Sequence, residues 1–124
     1  MKDRFKFRAW NKEKKTMHYK AEQTYDCLDG IPLIYKSSFG DVLDDENYIV
    51  EQCTGLKDKN GKFVFEGDVV RLDGLDEVFI VVYEENFCGV GLKHSDGLAT
   101  SVTPSILKNS EVIGNIHENA ELLK

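Results

Sequence analysis

The chain has few cysteines and no paired metal-ligand spacing. Its 124 residues include six scattered cysteines and histidines: Cys27, Cys53, Cys88, His18, His94 and His117. A secreted disulfide framework usually has an even number of closely spaced cysteines, and a zinc site usually has pairs such as Cys-x-x-Cys. The sequence therefore predicts reduced, mostly buried thiols and neither a metal nor another cofactor.

Long apolar runs are also missing. No run approaches the roughly 18 residues that a membrane-spanning helix requires. The first residues alternate between charged and apolar side chains and lack the continuous apolar core of a signal peptide. We therefore expect a cytoplasmic protein that makes no membrane contact.

Positive charge is scarce after the first twenty residues. Residues 1–20 contain eight Lys or Arg and two acidic side chains, whereas residues 21–124 contain eight basic and twenty acidic ones, and the chain carries a net charge of −6. Non-specific nucleic-acid binding depends on neutralising phosphates with Lys and Arg, so the net charge disfavours it. The basic N-terminal ribbon still leaves open a contact with nucleic acid, or with an acidic surface of the same chain or of a neighbouring copy.

Short β-prone segments separated by turn residues recur along the chain. After a hairpin in the first twenty residues, strands are predicted at residues 48–53, 62–65, 68–72, 77–83, 87–92 and 111–116, with a short helix at 118–123. This spacing is typical of a small barrel or sandwich. We predict a mainly β fold (α+β at most), with a hairpin and irregular unit at residues 1–47 and a barrel at residues 48–124. The first unit should also contain a short strand near residues 31–35 and a helical turn near 41–46.

The N-terminal hairpin holds the candidate binding residues. Residues 4–10 alternate strictly, which places Phe5, Phe7 and Ala9 on one face of a strand and Arg4, Lys6, Arg8 and Trp10 on the other. The second set offers phosphate contacts and a stacking ring, but alternation is also the ordinary pattern of a half-buried strand with a solvated face. Trp10 is either exposed, as an anchor for self-association, or covered by another element such as residues 22–47.

Residues 54–70 predict two turns around a short strand, and their turn-forming residues are Gly55, Asp58, Asn60, Gly61, Gly67 and Asp68. Asn and Gly tolerate positive φ, and an Asp side chain bonds the nearby backbone. A calcium-binding EF-hand is excluded, because Gly61 at loop position six would put Leu56 at position one, where a ligand oxygen is needed.

Glu66 and Asp68 have the spacing of a pair of carboxylates that could act in catalysis. Two residues apart on a strand, they share a face, and paired carboxylates do acid–base chemistry when their pKa values differ. The simpler interpretation is that they flank a turn and that Asp68 accepts hydrogen bonds from backbone amides. We therefore predict no catalytic residue.

Three segments resemble the YopX-like family of phage and prophage proteins. They are Phe-Arg-Ala-Trp at residues 7–10, the stretch at residues 53–70 with its Thr-Gly-Leu and Glu-Gly-Asp-Val-Val motifs, and residues 111–119. The chain departs from the family pattern at Cys53, where an aromatic residue is common, and at Ala120, where proline is common. The resemblance implies a phage or prophage origin, a C-terminal barrel of the SH3-like kind and no assigned molecular function.

These observations favour a non-enzymatic interaction or accessory protein. Small barrels commonly serve as binding scaffolds, although this argument is an analogy between folds. Its partner would be a host or phage protein or a second copy of the chain. The alternative is a nucleic-acid-binding accessory protein that uses the basic hairpin; an enzyme is less favoured than either.

Overall fold

The computed structural model describes residues 2–22, 27–28, 31–32, 39–94, 97 and 99–123. The strands are β1 (Phe7–Asn11), β2 (Thr16–Tyr19), β3 (Cys27–Leu28), β4 (Ile31–Pro32), β5 (Tyr48–Lys57), β6 (Phe63–Phe65), β7 (Asp68–Leu72), β8 (Val78–Glu84), β9 (Gly89–Lys93), β10 (Ala99–Ser101) and β11 (Ser110–Asn115). The helices are α1 (Phe39–Asp44) and α2 (Pro104–Lys108), with 3-10 turns at Lys2–Phe5, Glu85–Phe87 and Ala120–Leu123. The prediction of a mainly β fold is confirmed.

The N-terminal hairpin is part of a four-stranded antiparallel sheet in the order β2-β1-β5-β6. Arg8 lies opposite Tyr19 on β2 and opposite Glu51 on β5. The sheet is curled, and the curling brings its two outermost strands close enough for the rings of Tyr19 and Phe65 to meet edge to face, with centroids 5.8 Å apart. Aromatic side chains of both outer strands therefore line the space between them.

The second sheet has five antiparallel strands in the order β10-β9-β8-β7-β11. The pairing of β11 with β7 shifts register between Val112 and Gly114, so a bulge bends the last strand. The main apolar core lies against this sheet and consists of Val64, Val70, Val81, Leu92 and Leu107. Val64 comes from β6, so the two sheets share this core.

A smaller apolar cluster lies under the hairpin. Ala9, Ala21 and Val42 are fully buried there, and Phe7 and Phe39 pack against them with ring centroids 4.9 Å apart. Helix α1 thus closes one side of the four-stranded sheet. Strand β5 begins at Tyr48, next to the proposed boundary at residue 47, and pairs with β1 of the preceding unit. The division into two domains and the SH3-like form of the barrel stay predictions.

Several elements differ from the sequence-based prediction. Strand β1 begins at Phe7 instead of Arg4, because the preceding residues form a 3-10 turn that leaves Phe5 67% exposed. Strand β10 and helix α2 were not predicted. Thr103 caps α2 by accepting a hydrogen bond from the Ile106 amide, and proline occupies the first helical position. These are standard helix-start signals.

The remaining short elements are placed as follows. The helical turn predicted near residues 41–46 is α1, and the strand predicted near 31–35 begins as β4, although residues 33–35 lie outside the described part of the chain. The predicted C-terminal helix is a 3-10 turn. No helix in the described segments is long and apolar enough to cross a membrane.

Helix α2 offers a test of the shared core. Leu107 is fully buried whereas its neighbour Ile106 is 39% exposed. Leu107→Ala should lower the free energy of unfolding by about 2–5 kcal/mol, because it leaves a cavity in the core, and Ile106→Ala should lower it by less than about 1 kcal/mol. Urea unfolding of both variants checks this; equal losses would show that the two side chains contribute alike.

Candidate functional site

A buried arginine links the two sheets. The Arg8 side chain is almost inaccessible, and its Nε donates to Glu51 Oε1 at 2.9 Å while Nη1 donates to Asp68 Oδ1 at 2.7 Å. Its Nη2 donates to the backbone carbonyl of Glu66 at 3.0 Å. Arg8 belongs to the first sheet and Asp68 opens β7 of the second, so one guanidinium joins both sheets and the turn between β6 and β7.

The other oxygen of Glu51 extends this network to the end of the chain. Glu51 Oε2 lies 3.0 Å from His117 Nε2, and the His117 ring stacks on Trp10 with centroids 5.1 Å apart and planes 15° apart. Trp10 is 8% exposed. The sequence left open whether Trp10 is exposed or covered; it is covered within its own chain, by His117.

Burial and charge act against each other in this network. Burial alone would lower the pKa of Arg8, but the carboxylates of Asp68 and Glu51 outweigh it and raise that pKa. Burial raises the pKa of Asp68, against the opposing effects of Arg8 and the Phe65 amide. Burial likewise raises the pKa of Glu66, whose side chain accepts a hydrogen bond from the Gln52 amide. The Arg8 guanidinium thus stabilises the charged forms of several buried or half-buried carboxyl groups.

The prediction of a turn is wrong for Gly55, which lies inside β5 with φ +84°, where the register of β5 with β6 shifts. Asp58 and Asp68 form the backbone contacts that turn chemistry predicts. Asp58 Oδ1 accepts hydrogen bonds from the amides of Asn60 and Lys62, each at 2.9 Å, and Asp58 Oδ2 accepts one from Val112. Asp68 Oδ2 accepts from the Phe65 amide at 2.8 Å. Its role in a turn therefore accompanies its ion pair with Arg8, a partner 60 residues away that the local sequence did not indicate.

The four candidate binding residues do not share an open face. Arg4 is exposed and lines a hollow of about 250 Å³ with Glu66 and Cys88, whereas Arg8 and Trp10 are buried. The expectation of a common open face is wrong for these last two, because the second sheet and the closing segment cover the face of β1 that alternation assigned to solvent. Lys6 is the member of the set that reaches a larger cleft.

That cleft lies between the two outer strands of the curled sheet and has a volume of about 360 Å³. We call it the lysine–aromatic cleft, and its defining residues are Lys6, Tyr19, Lys20, Lys62, Phe63 and Phe65. The Nζ atoms of Lys6 and Lys57 lie 5.1 and 5.0 Å from the centroid of the Phe63 ring. Arg8 Cζ lies 4.9 Å from the centroid of the Phe65 ring, so the buried network supports the floor of the cleft.

A second cavity of about 500 Å³ adjoins this cleft. We call it the polar recess, and it is lined by Thr16, Met17, Tyr19, Lys62, Asp68, Gly114, Asn115, Glu118 and Asn119. Tyr19, which is 52% exposed, and Lys62 border both cavities. Lys20 belongs to the basic stretch at residues 1–20, which the sequence identifies as a candidate surface. No local sequence pattern predicts that Lys62 and Phe63 lie beside Lys20.

The cleft has the chemistry of an anion-binding surface with an apolar floor. Glu22 is its acidic lining residue, and Glu22 Oε1 accepts a hydrogen bond from the Phe7 amide at 2.9 Å. Three ammonium groups beside aromatic rings attract carboxylates or phosphates and also offer apolar contact.

In the described part of the chain, no cluster of three or more His, Cys, Asp or Glu side chains could hold a metal ion.

Arg8 should control how stability depends on pH. Since burial raises the pKa of Asp68 and of Glu66, the folded chain holds protons that the unfolded chain has lost. Their contribution to stability is complete below the ordinary carboxyl pKa and declines as pH rises. Arg8 lowers both pKa values, so Arg8→Met should destabilise the fold by about 3–5 kcal/mol and steepen the decline above the ordinary carboxyl pKa of about 4.

Urea unfolding across this pH range measures both effects. Arg71→Met is the matched control, because Arg71 is exposed on β7 and the same charge is lost. Parallel pH profiles for wild type and Arg8→Met would show that Arg8 does not set the ionisation of these carboxyls.

Gly67 should be irreplaceable because of its position beside Glu51. It has φ +86°, and a Cβ atom there would overlap Glu51 Oε2. Gly61 has φ +82° with nothing within 4 Å of such an atom. Gly61→Ala should cost about 1 kcal/mol through backbone strain, whereas Gly67→Ala should cost at least about 2 kcal/mol more, because it displaces a buried charge. Chemical denaturation of the Gly61→Ala and Gly67→Ala variants tests this, and equal losses in the free energy of unfolding would contradict it.

Comparison with known proteins identifies the family. No curated protein matches this chain. The crystal structure of protein EF1440 from Enterococcus faecalis is similar, with 27% identity and a TM-score of 0.64 over 96% of this chain and 97% of that one. The structure of protein yopX from Bacillus subtilis shares the fold at 18% identity, with a TM-score of 0.56 over 98% and 97% of the two chains. The YopX protein family matches residues 6–124, and the chain therefore belongs to that family.

Proposed function

We propose that this chain is a cytoplasmic, phage- or prophage-encoded accessory protein that works by binding an acidic segment of another protein and not by catalysis. The observation that carries the proposal is the lysine–aromatic cleft, which is basic and partly apolar although the protein has a net charge of −6. The phage origin rests on the YopX-like resemblance of the sequence. The partner is a host or phage protein, and binding of a second copy of this chain is the competing outcome that the experiments below distinguish from it.

The charge distribution supports an acidic partner. Lys6, Lys20 and Lys62 line the cleft, and among the described residues no carboxylate forms a salt bridge with Lys20 or Lys62. Ammonium groups that are not neutralised within the chain attract an acidic partner and speed its association. The acidic remainder of the chain repels that partner elsewhere, which directs it to the cleft.

The aromatic rings favour a protein over a nucleic acid. Phe63 has the ammonium groups of Lys6 and Lys57 near its ring, and Phe65 has the Arg8 guanidinium near its own. A base that stacked on either ring would have to compete with these cations. Apolar side chains of a peptide can contact the ring edges without displacing them.

Nucleic-acid binding is the second candidate, and one observation favours it. Tyr19 is half exposed beside Lys20 and Lys62, an arrangement that offers one stacking ring with two phosphate contacts. The net charge opposes this function, and two of the four residues that suggested it, Arg8 and Trp10, are buried.

Charge reversal in the cleft tests the proposal. Tagged wild-type chain and the double variant Lys20→Glu/Lys62→Glu are expressed in the native host and purified at low and high salt, with and without nuclease. We expect a defined protein that survives nuclease, is lost at high salt and is depleted about tenfold or more on the double variant. Lys93→Glu/Lys108→Glu is the matched control, because both lysines are exposed and lie on or beside the second sheet.

Three results would contradict the proposal. A protein captured equally by the cleft variant and the control variant would bind elsewhere. Bound material that is lost on nuclease treatment would favour nucleic-acid binding, the second candidate function. If neither double variant changed the amount of protein captured, the cleft would have no role in binding.

A further inference from the structure

The lysine–aromatic cleft and the polar recess adjoin each other beside β2, and we call the two together the groove. They meet at Tyr19 and Lys62, which border both cavities, and the recess continues past Met17 to Thr16 at the start of the strand. The groove therefore follows the whole of β2. Its length is that of an extended segment of at least four residues.

Strand β2 offers main-chain hydrogen-bonding groups to this groove. It is the end strand in the order β2-β1-β5-β6, and in the described part of the chain no strand pairs with its outer side. An end strand points the N–H and C=O groups of alternate residues outward, where an added strand can pair with them. The groove is thus bordered along its length by groups that recognise an extended backbone.

The opposite wall of the groove is fixed before any partner arrives. Asn119 Oδ1 accepts a hydrogen bond from the Asn115 amide at 3.1 Å, and Asn115 Oδ1 accepts from the amides of His117 and Glu118. Asn119 also packs closely on Gly114, where a Cβ atom would lie 2.5 Å from Asn119 Oδ1. A preformed wall lowers the conformational entropy that binding must overcome.

Each acidic group of the groove that the structure describes has a hydrogen-bond partner within the chain, although Glu22 and Glu118 keep their negative charge. Asp68 pairs with Arg8, Glu118 Oε1 accepts from Asn115 Nδ2 at 3.0 Å, and Glu22 Oε1 accepts from the Phe7 amide. The ammonium groups of Lys20 and Lys62 form no salt bridge with a described carboxylate. An occupant that carries carboxylates can therefore pair with both lysines.

We propose that an extended, acidic segment of a partner protein adds as a strand to the outer edge of β2. Its backbone pairs with β2, its carboxylates contact Lys20 and Lys62, and its alternate apolar side chains contact Tyr19 and the aromatic floor. This recognition mode combines main-chain hydrogen bonds for affinity with alternate side-chain sites for specificity. The inference rests on the proposed function and adds the conformation and register of the bound segment.

A designed peptide probes the groove directly. The probe is a fluorescein-labelled octapeptide of alternating Glu and Val, titrated with the full chain in fluorescence anisotropy. Two derivatives carry N-methyl groups on all Glu or on all Val residues, which blocks the N–H groups on one edge or on the other edge of the strand. Further probes are an alternating Lys and Val octapeptide and an eight-nucleotide oligothymidylate.

Strand addition predicts a distinct pattern of binding. The acidic peptide should bind, Lys20→Glu/Lys62→Glu should weaken it about tenfold or more, and Lys93→Glu/Lys108→Glu should change it less than about twofold. One N-methylated derivative should lose about tenfold or more in affinity while the other stays near the parent, because one edge of the peptide faces β2. Amide hydrogen exchange of residues 16–20 should slow in the complex.

The same experiment separates the two proposals. Lysine-dependent binding that both N-methylated derivatives retain would overturn strand addition and leave the acidic-partner proposal standing. No binding of the acidic peptide to wild type would overturn both. Tighter binding of the oligothymidylate would overturn both in favour of nucleic acid. Sedimentation that shows the peptide displacing a second copy of the chain would assign the groove to self-association and overturn the inference.

Discussion

The burial of a single guanidinium is the constraint on which the rest of this structure depends. A buried charge without partners is strongly unfavourable, so the fold must bring carboxylates to Arg8. Glu51 comes from the neighbouring strand and Asp68 from the second sheet. Meeting this requirement fixes the distance between the sheets. It also places the Phe65 ring against Arg8, and hence against Tyr19, where the curled sheet nearly closes.

Local chemistry made much of the fold predictable. Strand β7 was predicted with its observed limits, and the turn at residues 58–61 has the Asp58 hydrogen bonds that its sequence indicates. The information for these elements lies within a few residues. Strand β10 and helix α2 are only three and five residues long, too short for a clear hydrophobic period, and α2 was recognisable only from its capping threonine and its proline.

The candidate site was less predictable, because alternation tells which residues share a face but not what covers it. Arg8 and Trp10 were placed on the face opposite Phe7 as the pattern requires, but their partners Asp68 and His117 lie far along the chain. The cleft likewise needs Lys62 and Phe63 from β6 beside Lys6 and Lys20 from the hairpin. The basic charge of residues 1–20 indicated a basic surface on the hairpin, to which Lys6 and Lys20 belong, but nothing in the local sequence indicated Lys62.

The two sets of charges in this chain therefore have different physical roles. Those around Arg8 are buried and paired within the molecule, so mobile ions screen them little, and they act on stability. The lysines of the cleft are exposed to solvent, so salt screens them strongly, and they act on association. The contact of Arg8 with Phe65 joins the two sets, because the group that neutralises the interior also holds the ring that floors the cleft. Ionic strength is consequently the condition that separates the two roles: it weakens the attraction of an acidic partner while the interior network keeps the cleft in shape.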